Sequence, residues 1–203
     1  METWGFLFIL FFMINEIYIL DDVIPLDVQD KMEQLFLSSP LPWIFFQDIA
    51  LSPDEIKRLG IKDVTPGIGC YIKQDNPPYV NDYLISQTKV IPELVCYNLN
   101  FTLKDICNGR SFIQFPLNKR KEFDNPHIDV SYEHLVVLYY VNNSDGDTYI
   151  FDKVSGDRTG ELNVIQKVTP KKGRVLVFNG NRYHSSSGPT ENVRCVINFN
   201  VTI

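Results

Sequence analysis

The sequence predicts a mainly β fold with N-terminal helices, closed as a sandwich or barrel. Three observations predict it. After Gly109, short runs rich in Val, Ile, Phe and Tyr recur at 111–115, 135–141, 148–151, 162–168, 174–178 and 193–201. Turn signals separate them: 142–146 (NNSDG), 155–157 (SGD), 170–173 (PKKG) and 179–181 (NGN). Many short strands at this spacing build sandwiches and barrels. Second, 13% of the residues are aromatic, including 14 Phe and 10 Tyr, types that fit a pleated, half-buried surface. Third, upstream of about residue 110 the texture is more helical.

The N-terminal elements follow in order. Residues 17–20 read as a short strand, and Asp21-Asp22 as a turn. Val28, Met32, Leu35 and Phe36 form an i, i+4, i+7, i+8 stripe, so 26–36 reads as an amphipathic helix that 38–42 breaks. Residues 43–46 are a short apolar strand. Ser52-Pro53-Asp54-Glu55 has a capping residue, Pro at the first position and acids in the first turn, the signature of a helix start. Residues 65–69 and 75–78 read as loops. The span 81–107 is helical in period and interrupted at Pro92. The chain divides into a supporting region, 1–107, and a β domain, 108–203.

Composition bounds the function. At 203 residues the chain is one domain with an extension rather than two enzyme domains. A net charge of -6 counts against a sequence-independent nucleic-acid binder, although Lys119-Arg120-Lys121 and Lys171-Lys172 are local basic clusters. Cys70, Cys96, Cys107 and Cys195 show no paired or zinc-finger spacing, so they read as free, buried thiols of a reducing, cytoplasmic compartment. Residues 4–14 are apolar. They lack a positive flank and an A-x-A site, and eleven residues fall short of the ~20 that span a bilayer. They read as a packed segment rather than a membrane anchor.

The chain has three histidines. His127-Ile128-Asp129 is an H-x-D, and on a strand i and i+2 point to one face, within reach of one metal ion. His184 follows in a later β-run. Two imidazoles and a carboxylate on one side of an ion suit Fe(II) and leave positions open. Arg194 lies in the apolar strand 193–201 and shares a face with Val196 and Asn198. A lone Arg turned into a barrel is costly unless it meets an anion, and its planar fork suits a carboxylate. A zinc hydrolase would call for a Glu general base as in H-E-x-x-H, which is absent, and would leave Arg194 without a role.

The order His127-x-Asp129, Tyr139-Tyr140-Val141-Asn142, Asp145-Gly146-Asp147-Thr148, Pro170-x-x-Gly173-Arg174, His184, Arg194 resembles the Fe(II)- and 2-oxoglutarate-dependent oxygenases. It is similar above all to their prolyl 4-hydroxylase-like branch and to small members encoded by tailed bacteriophages. The resemblance covers about 108–203. It implies a double-stranded β-helix (jelly roll) preceded by helices. It implies that His127, Asp129 and His184 ligate iron, that Arg194 holds the C5 carboxylate of 2-oxoglutarate, and that Tyr140 bonds the same carboxylate, with Asn198 near the co-substrate. Ascorbate is an expected reductant. Two features depart from the pattern: Arg194 stands where collagen-type enzymes usually have Lys, and Asp145-Gly146-Asp147 replaces a Gly-Gly pair.

The resemblance implies hydroxylation of an unactivated C–H by O₂ and 2-oxoglutarate, with succinate and CO₂ as co-products. It favours a peptidyl, first of all prolyl, substrate. A nucleobase oxygenase with Lys119, Arg120 and Lys121 on phosphates is the alternative, as is a jelly-roll binding protein without chemistry. The latter predicts a broken triad or a missing arginine.

Overall fold

The computed structural model describes residues 16–117, 121–157 and 160–203. The apolar run 4–14 and the basic residues Lys119 and Arg120 lie outside them. No helix among the described residues is long and apolar enough to cross a membrane.

The strands are β1 (Tyr18–Leu20), β2 (Ile44–Phe46), β3 (Gly67–Gln74), β4 (Tyr79–Val80), β5 (Asp105–Gln114), β6 (Leu135–Tyr140), β7 (Thr148–Val154), β8 (Val164–Val168), β9 (Val175–Asn179), β10 (Arg182–Ser186) and β11 (Arg194–Thr202). The helices are α1 (Leu26–Ser38), α2 (Pro53–Leu59), α3 (Asp82–Thr88) and α4 (Val90–Asn98). An eight-stranded sheet runs β1-β9-β6-β11-β5-β3-β2, with β4 on β3, and a three-stranded sheet runs β10-β7-β8. All pairings between these strands are antiparallel. Two sheets facing each other, with helices behind the larger, form the jelly roll that the sequence predicts. The large sheet continues across position 107, because β3 pairs with β5.

The strand pleat sorts the core into two layers. Leu135, Val137 and Tyr139 of β6 and Cys195, Ile197, Phe199 and Val201 of β11 pack toward Met32, Leu35 and Phe36 of α1 and toward Ile91, Val95 and Cys96 of α4. Val136, Leu138 and Tyr140, with Val196, Leu176, Phe178 and Ile150, fill the space between the sheets. Strands buried on both faces read as continuous apolar runs, which is why β6 and β9 are legible in the sequence. All four cysteines are free and buried.

Helix α1 buries Gln29, Met32, Leu35 and Phe36, one turn position different from the expected stripe. Gln29 is buried beside the half-buried Val28, which still packs on the core, and the Gln29 amide donates to Ile24 O at 2.7 Å. Helix α2 starts as expected: Ser52 and Glu55 form a capping box and Pro53 opens the first turn.

Two expectations fail. Residues 65–69 are not all loop, since β3 begins at Gly67. A Cβ on Gly69 would sit 2.7 Å from the Phe46 ring, so aromatic neighbours close over a glycine that reads as a turn in isolation. The helical span breaks at Lys89 rather than at Pro92, and it ends at Asn98, since β5 takes over from Asp105. Pro92 falls in the first turn of α4, where a missing N–H costs little.

Candidate active site

The H-x-D segment precedes β6 and touches β10 through a single antiparallel bridge. His127 N donates to His184 O and His184 N to His127 O, both at 3.0 Å. This bridge brings the two imidazole rings to 4.5 Å between centroids. His127, Asp129 and His184 each offer a ligand atom, and those atoms lie within 4.8 Å of one another.

The hydrogen bonds behind these atoms fix their orientation. Nδ1 of His127 meets Asn125 O at 3.1 Å, and Nδ1 of His184 meets Arg182 O at 3.1 Å. Only a protonated nitrogen can pair with a carbonyl, so both rings direct an Nε2 lone pair inward. Asn198 Nδ2 donates to Asp129 Oδ2 at 2.8 Å. The other oxygen, Oδ1, faces both histidines, 3.7 Å from His127 Nε2 and 3.8 Å from His184 Nε2. Arg110 approaches the same oxygen at 3.5 Å. Burial pushes the Asp129 carboxyl up, but His184, Arg110 and His127 around it outweigh the burial and hold the group well below the usual range. Burial first, then the charge of His184, pulls His127 down to about 4. An ionised carboxylate beside a neutral imidazole is the state a metal ligand needs.

Arg194 lies deeper between the sheets and is 4% exposed. Its Nε donates to Gly146 O at 2.9 Å, one terminal nitrogen to Gln114 Oε1 at 3.0 Å and the other to Thr148 Oγ1 at 2.8 Å. All three acceptors are neutral. Among the described residues no carboxylate lies within 4.0 Å of the guanidinium, and burial pulls its pKa below the ordinary value. A guanidinium has five N–H donors, so two remain after these three bonds. Gly146 is required for this arrangement: a Cβ there would sit 2.7 Å from Ser187 O and 2.9 Å from Arg194 Cδ. The Asp145-Gly146-Asp147 departure thus places its glycine against the arginine.

Tyr140 is fully buried and donates to Thr148 Oγ1 at 2.8 Å; its ring lies 5.9 Å from the Arg194 guanidinium. Thr148 Oγ1 therefore accepts from both Tyr140 and Arg194. Two lone pairs are then filled, and its own hydrogen is directed away from both donors. Thr148 lines one cavity with His127, Asp129, His184, Arg194 and Asn198; Tyr140 stands one step behind it. Asn198 holds Asp129 directly, and its Oδ1 is buried without a partner. A second, open cavity of ≈ 410 Å³ borders His127 and Asp129, walled by Phe45, Phe46, Tyr71 and Arg110.

The sequence reading missed Arg110, Gln114 and Thr148. Gln114 is a polar residue in an apolar run, which is a usable signal. Thr148 carries none, because Thr is at home in any strand. His134 is no ligand: its Nδ1 meets Tyr132 O at 2.8 Å, outside the cluster. The described members of the basic clusters pair with acids. Lys121 bonds Asp63, at 3.1 Å to the carboxylate. Lys171 pairs with Asp21 at 3.4 Å, and Lys172 with Asp30 at 2.7 Å and Glu33 at 2.5 Å.

The donor set of two imidazole nitrogens and one carboxylate oxygen fits Fe(II), and a buried arginine with two spare donors fits a carboxylate. No protein-family model and no curated protein matches the sequence. Solved structures do match in fold. A prolyl hydroxylase in complex with a hypoxia inducible factor peptide fragment, from Trichoplax adhaerens, superposes with a TM-score of 0.58 at 15% identity, over 99% of this chain and 93% of that one. The non-heme alpha ketoglutarate dependent epimerase SnoN from nogalamycin biosynthesis gives 0.59 at 11%, over 94% and 80%. A Pseudomonas putida prolyl-4-hydroxylase gives 0.50 at 12%, over 92% of each chain. None of the three is described as a bacteriophage protein, so the phage part of the resemblance gains no support. The chain has the double-stranded β-helix fold that these prolyl hydroxylase and ketoglutarate-dependent structures share.

Proposed function

We propose that this protein is an Fe(II)- and 2-oxoglutarate-dependent oxygenase that hydroxylates an unactivated C–H of a peptidyl substrate, with proline the first residue to test. The observation that carries the reading is the pairing of two features in one cavity. One is the His127, Asp129 and His184 cluster with oriented Nε2 atoms, and the other is the buried, charge-unpaired fork of Arg194 deeper between the sheets.

His127, Asp129 and His184 would hold the iron, and Arg194 with Thr148 would hold the distal carboxylate of 2-oxoglutarate. When bound, the iron and co-substrate supply oxidative decarboxylation coupled to C–H hydroxylation, giving succinate and CO₂. The protein supplies orientation. Asn198 fixes which Asp129 oxygen faces the histidines, and Asn125 and Arg182 carbonyls fix both imidazole tautomers. Tyr140 holds Thr148 from behind. Val136, Leu138 and Phe178 form dry walls around the cavity. The open cavity beside His127 and Asp129, with Phe45, Phe46 and Tyr71 on its wall, supports a substrate that arrives from outside as a chain segment. The fold likeness to two prolyl hydroxylases supports a peptide. Of the basic residues considered for phosphate, the described ones, Lys121, Lys171 and Lys172, are engaged by acidic partners.

The test is succinate formation from 2-oxoglutarate with Fe(II) and ascorbate, with and without prolyl peptides. Wild type is expected to turn over slowly alone and faster with a peptide substrate. Asp129→Ala is expected to abolish turnover. Arg194→Ala is expected to need roughly a hundredfold more 2-oxoglutarate, the worth of one or two charge-assisted hydrogen bonds. Absence of both turnover and 2-oxoglutarate binding by the iron-loaded protein would leave a jelly-roll binding module.

A further inference from the structure

Arg194 is balanced at one remove. Gln114 is its direct cross-strand partner on β5 and is fully buried. The two ends of the Gln114 amide are used in opposite directions. Its Oε1 accepts from Arg194 at 3.0 Å, and its Nε2 donates to Asp124 Oδ2 at 3.1 Å. Asp124 is 4% exposed. Its other side-chain bonds come from the hydroxyls of Thr65, at 2.5 Å, and Ser186, at 3.0 Å. Among the described residues no cation touches it. Thus a buried carboxylate with only neutral contacts and a buried guanidinium with only neutral contacts are joined by one amide.

We propose that Gln114 is a neutral spacer: it keeps the balancing charge of Asp124 one side chain away from Arg194, so that the remaining guanidinium donors stay free for the distal carboxylate of a dicarboxylic 2-oxo acid. This rests on the co-substrate reading above and concerns how the arginine is kept available. A carboxylate in direct contact would take the fork that the ligand needs. No carboxylate at all would leave the buried cation uncompensated. At one side chain's distance, attraction through a low-dielectric interior still offsets part of the burial cost. Burial pushes the Asp124 carboxyl up, opposed by the Thr65 and Ser186 hydroxyls and by the charges of Lys121 and Arg194; burial pulls Arg194 down, opposed by Tyr140 and Asp124. The arrangement has a consequence with a definite sign. Asp124 stabilises the free protein and opposes the incoming anion. Gln114 and Asp124 are therefore positioning residues, and two isosteric substitutions should shift affinity in opposite directions.

The experiment is calorimetric titration of the anaerobic, Fe(II)-loaded protein with 2-oxoglutarate and with 2-oxobutyrate, which lacks the distal carboxylate. Melting temperatures are measured alongside. Gln114→Glu puts one carboxylate oxygen directly on Arg194 and the other against Asp124 Oδ2 in place of the amide donor. It should weaken 2-oxoglutarate binding about tenfold or more and leave the melting temperature unchanged or lower, since the new ion pair is offset by two carboxylates in contact. Asp124→Asn keeps the hydrogen-bonding shape and removes the opposing charge. It should tighten 2-oxoglutarate about threefold and lower the melting temperature. Binding of 2-oxobutyrate should be the same in all three proteins. Either variant decides the matter alone if the other does not fold. Equal weakening of both acids, a merely structural effect, overturns the proposal, as does wild-type 2-oxoglutarate affinity in Gln114→Glu. Wild-type protein that binds neither acid removes the co-substrate reading and the spacer with it. Wild-type binding with unshifted variants removes the spacer alone.

Discussion

On the face of β11 toward the helices, Cys195, Ile197, Phe199 and Val201 are apolar and at most 1% exposed. On the opposite face of the same strand, Arg194, Asn198 and Asn200 are buried or half-buried and polar. Asn198 and Asn200 each carry an oxygen without a partner. The helix-facing residues of β11 follow the rule for a stable core: apolar side chains in close packing. The inner face departs from that rule where the metal ligands and the arginine converge. Adjacent residues one peptide apart are thus set to different tasks, one to hold the sheet on its helices and the other to keep hydrogen-bonding capacity available. The cost of the second is carried by the first.

Substitutions on neighbouring positions can break or sharpen this contrast. The largest effect is expected from Phe199→Ala, which leaves a cavity between β11 and the helices and should cost about 3–5 kcal/mol in denaturant unfolding. The affinity of the remaining folded protein for 2-oxoglutarate should be unchanged. A matching loss of affinity would mean that the two faces are not independent. Asn200→Val should act in the opposite sense. It removes a buried amide that makes no side-chain hydrogen bond among the described residues, and it suits a strand, so stability should rise by about 1 kcal/mol. A fall in stability would show that Asn200 is satisfied in solution and that the inner face is less costly than it looks.

The smallest effect belongs to the sheet edge. Arg174 grips Asp21 with two bonds, at 2.8 and 2.9 Å, beside the β1–β9 pairing. The hydrogen bond from Arg174 lowers the Asp21 carboxyl to about 2. A carboxyl lowered on folding contributes stability that is complete above its unfolded value, about 4, and is lost as pH falls toward 2. The pair is partly exposed, so Asp21→Ala should cost no more than about 1 kcal/mol at neutral pH. Its effect should vanish in acid. A larger, pH-independent loss would mean that β1 is held by this contact rather than by its ladder.

Much of the site was legible because two periodicities survive in a linear reading. The i, i+2 rule put Arg194, Val196 and Asn198 on one face of β11, and the structure keeps that grouping; His127 and Asp129 also meet, but from an isolated bridge and a bend rather than from a strand. Apolar runs marked β6, β9 and β11, since strands covered on both faces have little reason to alternate. The glycine-bearing start of β3 was not legible, because Gly67 and Gly69 look like a turn until the Phe46 and Phe112 rings are in place.

The sequence by itself determined the mainly β class, the β strands downstream of residue 110, the three candidate metal ligands and a buried arginine that calls for an anion. These depend on residue type and short spacing. Only the tertiary structure decided what stands behind them: Gln114 against Arg194, Asp124 against Gln114, Tyr140 and Arg194 sharing Thr148, and Arg110 beside Asp129. Most of these partners are far apart along the chain, and they meet because antiparallel pairing and the facing of two sheets set their register. A hydrogen bond depends on distance and direction, and no local pattern encodes those for residues that far apart.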